Sequence, residues 1–366
     1  MYIFLTQCFP SRLGGIESLV SNLALSLGKK EKVIVFADRH HLFYDAIYDN
    51  QYKKHIIVRR ISGLKFFRRR KKIKELKSFI ESTQVKLVIA DTWKSLELAI
   101  DYLNKKNVPT LCLAHGNELL FNHIKKSQRI IQTIQKVSYI IANSQYTASL
   151  IAELMPKRKN INFVYPGAND LRQIKADNFM QINGDPVLVT LARLEKRKGH
   201  AEILKAVKQL KLKFSSIQYI IAGEGPEKLR LQKLVKEYSL ESNVSIVGIM
   251  NDSQKKYLFE NTDLMVMPTL DEREKRSVEG FGISYLEAAF FGIPSIASKF
   301  GGSPEAVLHN QTGIVIDNFD HLYKTIYNLL SNSNLRNHLG KHAQKRAIQD
   351  FRWETVVNNY LAPLSL

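Results

Sequence analysis

Two carboxylates, Glu279 and Glu287, stand eight positions apart in the run E-G-F-G-I-S-Y-L-E, with Gly280 and Gly282 between them. Ser284, just before the second, reads as a helix start. Glycine has no Cβ and tolerates positive φ, so backbone can come close to a ligand there. A loop that ends at a helix amino terminus offers unpaired N–H groups and a partial positive charge to an anion. Carboxylates beside such a cradle suit hydroxyl groups, not phosphates. Phosphates plus hydroxyls in one pocket describe a sugar nucleotide. Ser284-x-x-Glu287 also fits a capping box, in which Glu287 would serve only its own helix. Glu279 precedes the glycines and has no such duty. The loop before it, residues 269–278, is densely charged, which suits a mobile flap as well as a ligand contact.

Basic groups that could meet the phosphates lie in Arg193-Leu194-Glu195-Lys196-Arg197-Lys198-Gly199-His200, directly after an apolar run at Val187–Leu191. Arg193 brings a planar, bidentate fork and Lys198 a mobile point charge, a pair suited to a diphosphate. Lys196 and Arg197 read as solvated members of the same loop. A second loop, residues 11–17, follows the first apolar run and contains Gly14-Gly15. Adjacent glycines permit a tight turn and close phosphate approach, although such pairs also occur in ordinary strand-to-helix turns. The chain holds neither G-x-G-x-x-G nor a Walker-type G-x-x-x-x-G-K-[ST]. His115, followed by Gly116 at the end of the run Thr110–Ala114, stands where a residue facing a ligand crevice would stand. An isolated histidine equally serves structure alone.

These groups need strands whose carboxyl ends they can share. Short apolar runs at Tyr2–Leu5, 33–37, Leu87–Ala90, Thr110–Ala114 and Tyr139–Ala142 are separated by helical patterns. A polar stretch, 169–185, has no apolar period and reads as a linker. The alternation resumes at Val187–Leu191, 219–222, 244–247, 264–267 and 295–297. Near-continuous apolar strands alternating with helices predict an α/β fold of parallel, doubly covered sheets. Two such units in series are expected to hold ligand in a crevice at the carboxyl ends of their strands. The expected division is 1–168, a linker at 169–184, and 185–348, with a terminal helix at 349–366 packing back on the first domain. No repeat of solenoid period is present.

A chain of 366 residues, 45% of them apolar, can bury the cores of two domains. Its two cysteines, Cys8 and Cys112, lie in apolar runs, so a reducing compartment is expected rather than a disulfide framework. Neither a signal peptide nor a spanning helix is expected. The net charge of +20 is uneven: residues 1–180 hold 30 Lys and Arg against 14 acids, +16, and the remainder 24 against 20, +4. The first half is therefore the one that would face a polyanionic surface, unless its lysines are simply solvated.

Taken together, these runs resemble the retaining glycosyltransferases of family four. The likeness covers nearly the whole chain: Gly14-Gly15-Ile16-Glu17, His115-Gly116, Asn143-Ser144 with Tyr146-Thr147, Pro166-Gly167, Arg193 with Lys198-Gly199, Gly223-Glu224-Gly225-Pro226, Glu279-x7-Glu287, Gly301-Gly302-Ser303-Pro304-Glu305 and Phe351-Arg352-Trp353-Glu354. The resemblance implies the GT-B fold, two Rossmann-like domains with an interdomain cleft. It implies that Arg193 and Lys198 hold a donor diphosphate, that Glu287 accepts ribose hydroxyls, and that Glu279 contacts the transferred sugar. Backbone N–H groups of Phe281, Gly282, Ile283, Ser284 and Gly15 would line phosphates and sugar, with His115 beside the reacting face. The base would lie near residues 248–251. Gly167-Ala168-Asn169-Asp170 departs from the more usual N-G-V-D at a hinge position. The resemblance is greatest to α-mannosyltransferases that use GDP-mannose. Enzymes that transfer glucose, galactose or N-acetylglucosamine from UDP share the framework. A non-catalytic nucleotide-sugar binder or a nucleic-acid-binding protein is the alternative of another class; no single-strand aromatic platform supports the latter. No Asp-x-Asp signature occurs, and neither a metal nor any cofactor beyond the nucleotide-sugar substrate is expected.

Residues 53–77 hold twelve Lys and Arg and one acid, Glu75. Phe66 and Phe67 precede Arg68, Arg69, Arg70, Lys71 and Lys72. Anionic lipid attracts such a segment by ~1 kcal/mol per basic residue, and the phenylalanines could wedge at the interface. Ile73, Leu76 and Ile80 also give the helix a core-facing stripe, so an ordinary surface helix fits as well. The sequence expectation is a cytoplasmic enzyme held peripherally on the inner face of the cell membrane. Its acceptor would be a lipid-linked or cell-surface glycan.

Overall fold

A computed structural model describes residues 1–12, 14–121, 123–158 and 161–364. Leu13, within the first glycine loop, and residues 365–366, at the end of the expected terminal helix, lie outside the described residues. The chain forms two units, Met1–Pro166 with Trp353–Leu366, and Gly167–Arg352.

In chain order the first unit runs β1 (Tyr2–Leu5), α1 (Gly15–Gly28), β2 (Val33–Asp38), α2 (Leu42–Tyr52), β3 (Ile56–Ile61), α3 (Lys65–Glu81), β4 (Leu87–Ala90), α4 (Trp93–Leu96), α5 (Ile100–Lys105), β5 (Thr110–Ala114), α6 (Ile124–Gln135), β6 (Tyr139–Ala142), α7 (Gln145–Leu154) and β7 (Ile161–Phe163). The second runs β8 (Val187–Leu191), α8 (His200–Leu210), β9 (Gln218–Ala222), α9 (Lys228–Glu237), β10 (Val244–Gly248), α10 (Asp252–Glu260), β11 (Leu264–Val266), α11 (Ile283–Phe290), β12 (Ser295–Ser298), α12 (Ser303–Ala306), β13 (Gly313–Ile316), α13 (Leu322–Ser331) and α14 (Ser333–Asp350). The last helix, α15 (Trp353–Leu361), belongs to the first unit.

Both sheets are parallel throughout, in the orders β3-β2-β1-β4-β5-β6-β7 and β10-β9-β8-β11-β12-β13. Strands such as Ile3-Phe4-Leu5 and Val187-Leu188-Val189 are buried on both faces, which is why they read as continuous apolar runs. Three strands escape that signal. β3 is an edge strand with Arg59 and Arg60 in it, and β7 and β13 are a short edge and an edge. In each sheet the strand order reverses beside the first strand, between β1 and β4 and between β8 and β11. Ligands of open parallel sheets bind outside such a reversal, at the strands' carboxyl ends.

Helix α15 buries Trp353, Val356, Val357 and Tyr360 in the core formed by α1 and the first sheet. It starts at Trp353; residues 349–350 still belong to α14. The stretch read as a linker is integrated in the second unit instead. Arg172 forks onto Asp170 at 2.7 and 2.8 Å, Lys256 donates to the Arg172 carbonyl, and the N–H groups of Asn183 and Gly184 donate to Gln218. Its order comes from polar contacts of irregular backbone, which leave no apolar period to read. Among the described residues no helix is long and apolar enough to cross a membrane.

His200, the first residue of α8, is buried with Nδ1 3.4 Å from the Tyr219 hydroxyl. Burial pushes its imidazole down from 6.5 to about 4. The neutral ring therefore stabilises the fold above its unfolded value, and that contribution is lost as pH falls towards the folded one. Relative to His200→Leu, the wild type should lose about 3 kcal/mol between roughly pH 7 and pH 4. A stability difference independent of pH in denaturant titrations would contradict a neutral buried ring.

Candidate active site

The second unit gathers its charged groups at the reversal between β8 and β11. The turn 193–199 follows β8 and Glu279 lies between β11 and α11, so neighbouring strands deliver them to one edge. Glu279 keeps only 10% of its side chain accessible, and its Oε2 accepts from Arg197 Nη1 at 2.6 Å and from Lys198 Nζ. Arg197 is held on its other side by Glu195, with Nε and Nη2 both 3.1 Å from Oε2. Burial alone would raise the Glu279 carboxyl, but Lys198 and Arg197 outweigh it and hold it down at about 2. Burial likewise works against the Lys198 ammonium and lowers it, with Glu279 opposing. The result is a dry, ionised cluster in which each acid has a cation.

Arg197 therefore departs from its sequence reading as a solvated residue: only 9% of it is exposed, because its fork is consumed by two acids. Arg193 is the exposed member, with 64% of its side chain accessible and one contact to Glu195 Oε1 at 3.1 Å. It remains at the surface of the turn, while Lys198 lies beneath, its Nζ also 3.6 Å from the Met267 sulfur.

Helix α11 begins at Ile283, one residue before Ser284, and its cap is Gly282 at φ 100 without a side-chain cap. The capping-box alternative for Glu287 is thus corrected. Glu287 instead accepts from Lys255 Nζ at 2.9 Å, reaching across to α10. Burial opposes the Lys255 charge, but Glu287 and then Asp252 outweigh it and keep the ammonium above its usual range. Ser284 directs its hydroxyl to the Met267 sulfur, and Phe281 is buried edge-on against Phe351. A Cβ at Gly282 would lie 2.5 Å from the Tyr285 ring, so glycine is required there. Near the expected base position, Asn251 caps α10 in a reciprocal box with Gln254.

The first unit repeats the pattern at its own reversal. Asp91, directly after β4, accepts from the Thr6 hydroxyl at 2.8 Å, from the Gln7 and Cys8 N–H groups at 2.8 and 3.1 Å, and from the Ser95 hydroxyl at 2.6 Å. His115, after β5, lies with Nε2 2.8 Å from the Asp91 carbonyl, and its own N–H donates to Glu118 at 2.6 Å. Gly15 is the first residue of α1 behind an uncapped Gly14. Sequence reasoning overlooked Asp91, Glu118, Glu195 and Lys255. Asp91 had a visible signal, an acid immediately after the apolar run LVIA; Lys255 had none, since its role depends on α10 lying against α11.

The expected membrane patch is redistributed. Arg68 and Lys72 both pair with Asp38, at 2.9 and 2.5 Å, and Arg69 pairs with Glu97 at 2.8 Å. Lys72 is buried and also donates to the Thr6 carbonyl. These three act as counter-ions at the strand ends, because α3 turns that face towards the sheet. Phe66 and Phe67 are 58% and 64% exposed, Arg70 stacks on Phe66 at 4.1 Å, and Lys71 is exposed. Leu42, Phe43 and Tyr44, which open α2, are likewise exposed. The exposed start of α2 is apolar, whereas that of α3 mixes Phe66 and Phe67 with the cations Lys65, Arg70 and Lys71.

Among the described residues, no group of three or more His, Cys, Asp or Glu side chains is arranged to hold a metal ion.

Two adjoining family models match the chain: "Glycosyltransferase Family 4" over residues 13–171 and "Glycosyl transferases group 1" over residues 173–346. The chain belongs to the family-four glycosyltransferases of GT-B fold. It is 23% identical over 367 residues, 97% of this chain and 95% of the relative, to a GDP-mannose-dependent monoacylated alpha-(1-6)-phosphatidylinositol monomannoside mannosyltransferase of Corynebacterium glutamicum. The GDP-mannose-dependent alpha-(1-6)-phosphatidylinositol monomannoside mannosyltransferase of Mycobacterium tuberculosis is 25% identical over 256 residues, 67% of this chain and 66% of that enzyme's length. Among solved structures, HepE of Anabaena in complex with UDP and glucose superposes with a TM-score of 0.82 at 19% identity, covering 100% of this chain and 99% of that one, a likeness of fold.

Gly301 packs its φ 67 backbone against this site: a Cβ there would lie 2.3 Å from the Glu279 carbonyl oxygen, which accepts from the Gly302 N–H at 2.8 Å. Gly301→Ala should cost about 1–2 kcal/mol for the left-handed backbone alone and push the backbone at Glu279 outward. Thermal melts and turnover should both fall. An alanine variant with wild-type melting and turnover would contradict the contact.

Proposed function

We propose that this glycosyltransferase moves mannose from GDP-mannose to a lipid-linked glycan acceptor, with retention of anomeric configuration and without a required metal ion. The observation that carries the donor half is the buried Lys198–Glu279 pair ahead of α11, with Glu287 on that helix and Arg193 exposed above the same turn. Diphosphate needs cations, and sugar and ribose hydroxyls need acceptors; this edge supplies both. Arg193 and Lys198 engage the diphosphate, joined by N–H groups at the start of α11. Glu287 accepts from ribose hydroxyls and Glu279 from the sugar. The leaving nucleoside diphosphate is an anion, so the step requires charge stabilisation more than a strong acid. No second carboxylate is assigned as a nucleophile, which favours substitution on the face that the leaving group departs from. His115 and Gly15 keep the roles that the family resemblance implies, next to sugar and phosphate.

The mannose and lipid assignments draw on the two relatives named for GDP-mannose and phosphatidylinositol mannosides. Exposed Leu42, Phe43, Phe66 and Phe67, with Arg70 and Lys71 behind them, suit shallow docking on an anionic bilayer. A UDP-sugar donor is the second reading, favoured by the complex of HepE with UDP and glucose.

Thermal shift with GDP, UDP and their sugars separates the donors. GDP at about 100 times its Kd should stabilise by about 2.7 kcal/mol; a response to UDP and UDP-glucose alone would replace mannose with the second reading. Lys198→Ala should lower kcat by about 10²–10³, measured as mannose transfer to extracted lipid. Replacing Leu42, Phe43, Phe66 and Phe67 by serine should abolish co-sedimentation with phosphatidylglycerol vesicles while GDP still raises the melting temperature. Unchanged sedimentation would remove the membrane assignment.

A further inference from the structure

Five charged groups alternate in sign along the 193–198 turn and across to Glu279: Arg193, Glu195, Arg197, Glu279, Lys198. The two outermost are the cations assigned to the donor's diphosphate. The middle one, Arg197, is aimed at no ligand; its fork spans two acids. We propose that Arg197 is a positioning residue for turnover, holding Glu279 in place and charged while Lys198 exchanges that carboxylate for the donor's diphosphate. This rests on the donor-site reading above.

The geometry decides which cation moves. Glu279 Oε2 receives both Arg197 Nη1 and Lys198 Nζ. Lys198 is a point charge on a flexible stem, able to turn its N–H groups to a new anion. Arg197 is not: its Nε and Nη2 are tied to Glu195 Oε2, and its carbonyl accepts the Leu270 N–H at 2.7 Å. When the diphosphate draws Lys198 away, Arg197 is the cation that stays. A buried carboxylate stripped of both cations would take up a proton and offer the sugar a donor in place of an acceptor. Other groups packed against Glu279 cannot substitute. Tyr285 of α11 donates to the Met267 carbonyl at 2.5 Å and burial keeps its phenol above the usual range; Ser303 of α12 is neutral; Glu195 is an acid. A lysine at 197 would keep the charge but could not bridge Glu195 and Glu279 at once.

The test uses the full chain, with donor turnover followed against pH and GDP or UDP binding followed by thermal shift. Arg197→Met should move the acid limb of kcat upward by about one pH unit or more. Arg197→Lys should leave that limb in place yet lower kcat about tenfold, as one ammonium replaces a two-sided fork. Donor KM should change less than kcat in both. A methionine variant with an unmoved acid limb, or a lysine variant with wild-type kcat, overturns the proposal. If Arg197→Met does not fold, as judged by circular dichroism, the lysine variant alone decides. Failure of the donor-site reading looks different: wild-type protein would show no shift with either nucleotide.

Discussion

One carboxylate oxygen shared between an arginine and a lysine, with water largely shut out, constrains the rest of the second unit. Removing one partner from a buried pair generally costs about 3–5 kcal/mol, because the remaining charge cannot be left unpaired. The surrounding backbone is accordingly tight. Gly301 and Gly302 lie against the Glu279 backbone, Gly282 lets α11 start under the Tyr285 ring, and the 193–199 turn is closed by its own N–H groups. The contacts with Glu195 and Glu279 hold Arg197 in position on both sides, whereas Lys198 reaches the same carboxylate from a flexible stem.

The first unit solves a related problem with a different hub. Asp91 receives four donors at the reversal of its sheet, and its carbonyl lies against the His115 ring at Nε2. Asp91 directly follows a parallel strand, whereas Glu279 lies in the loop between β11 and the start of α11, and a nearby helix start favours negative charge. The two sheets thus bring side chains together by topology: adjacent strands end at one edge even when their residues are 85 positions apart in the chain, as Thr6 and Asp91 are.

Positive charge is spent unevenly. Four of the twelve basic residues in 53–77, Arg60, Arg68, Arg69 and Lys72, neutralise Asp49, Asp38 and Glu97 instead of facing outward. Arg60 is the sharpest case, buried against Asp45 and Asp49. α2 exposes Leu42, Phe43 and Tyr44, and α3 exposes Phe66 and Phe67 together with Lys65, Arg70, Lys71 and Lys74. A count of basic residues in this run therefore overstates the positive charge left exposed.

Parallel sheets bury both faces of their inner strands, so runs such as YIFL, LVIA and VLVTL were readable as strands without any contact information. For the same reason the Arg193–Lys198 turn could be assigned to a strand end, and the glycine-flanked acids to a loop that leads into a helix. Edge strands β3, β7 and β13 lack the uniform apolar signal, and the ordered stretch 169–184 depends on scattered polar contacts. Charge pairing was the least legible feature. Residue type gives the sign of a side chain, but its partner depends on which elements fold against each other. Arg197 and Lys196 are neighbours of identical charge in the chain, yet only Arg197 is turned between Glu195 and Glu279. The order of residues determined the strands and the chemistry available at their ends; only the folded packing, through the high cost of leaving a buried charge alone, decided which cations serve structure.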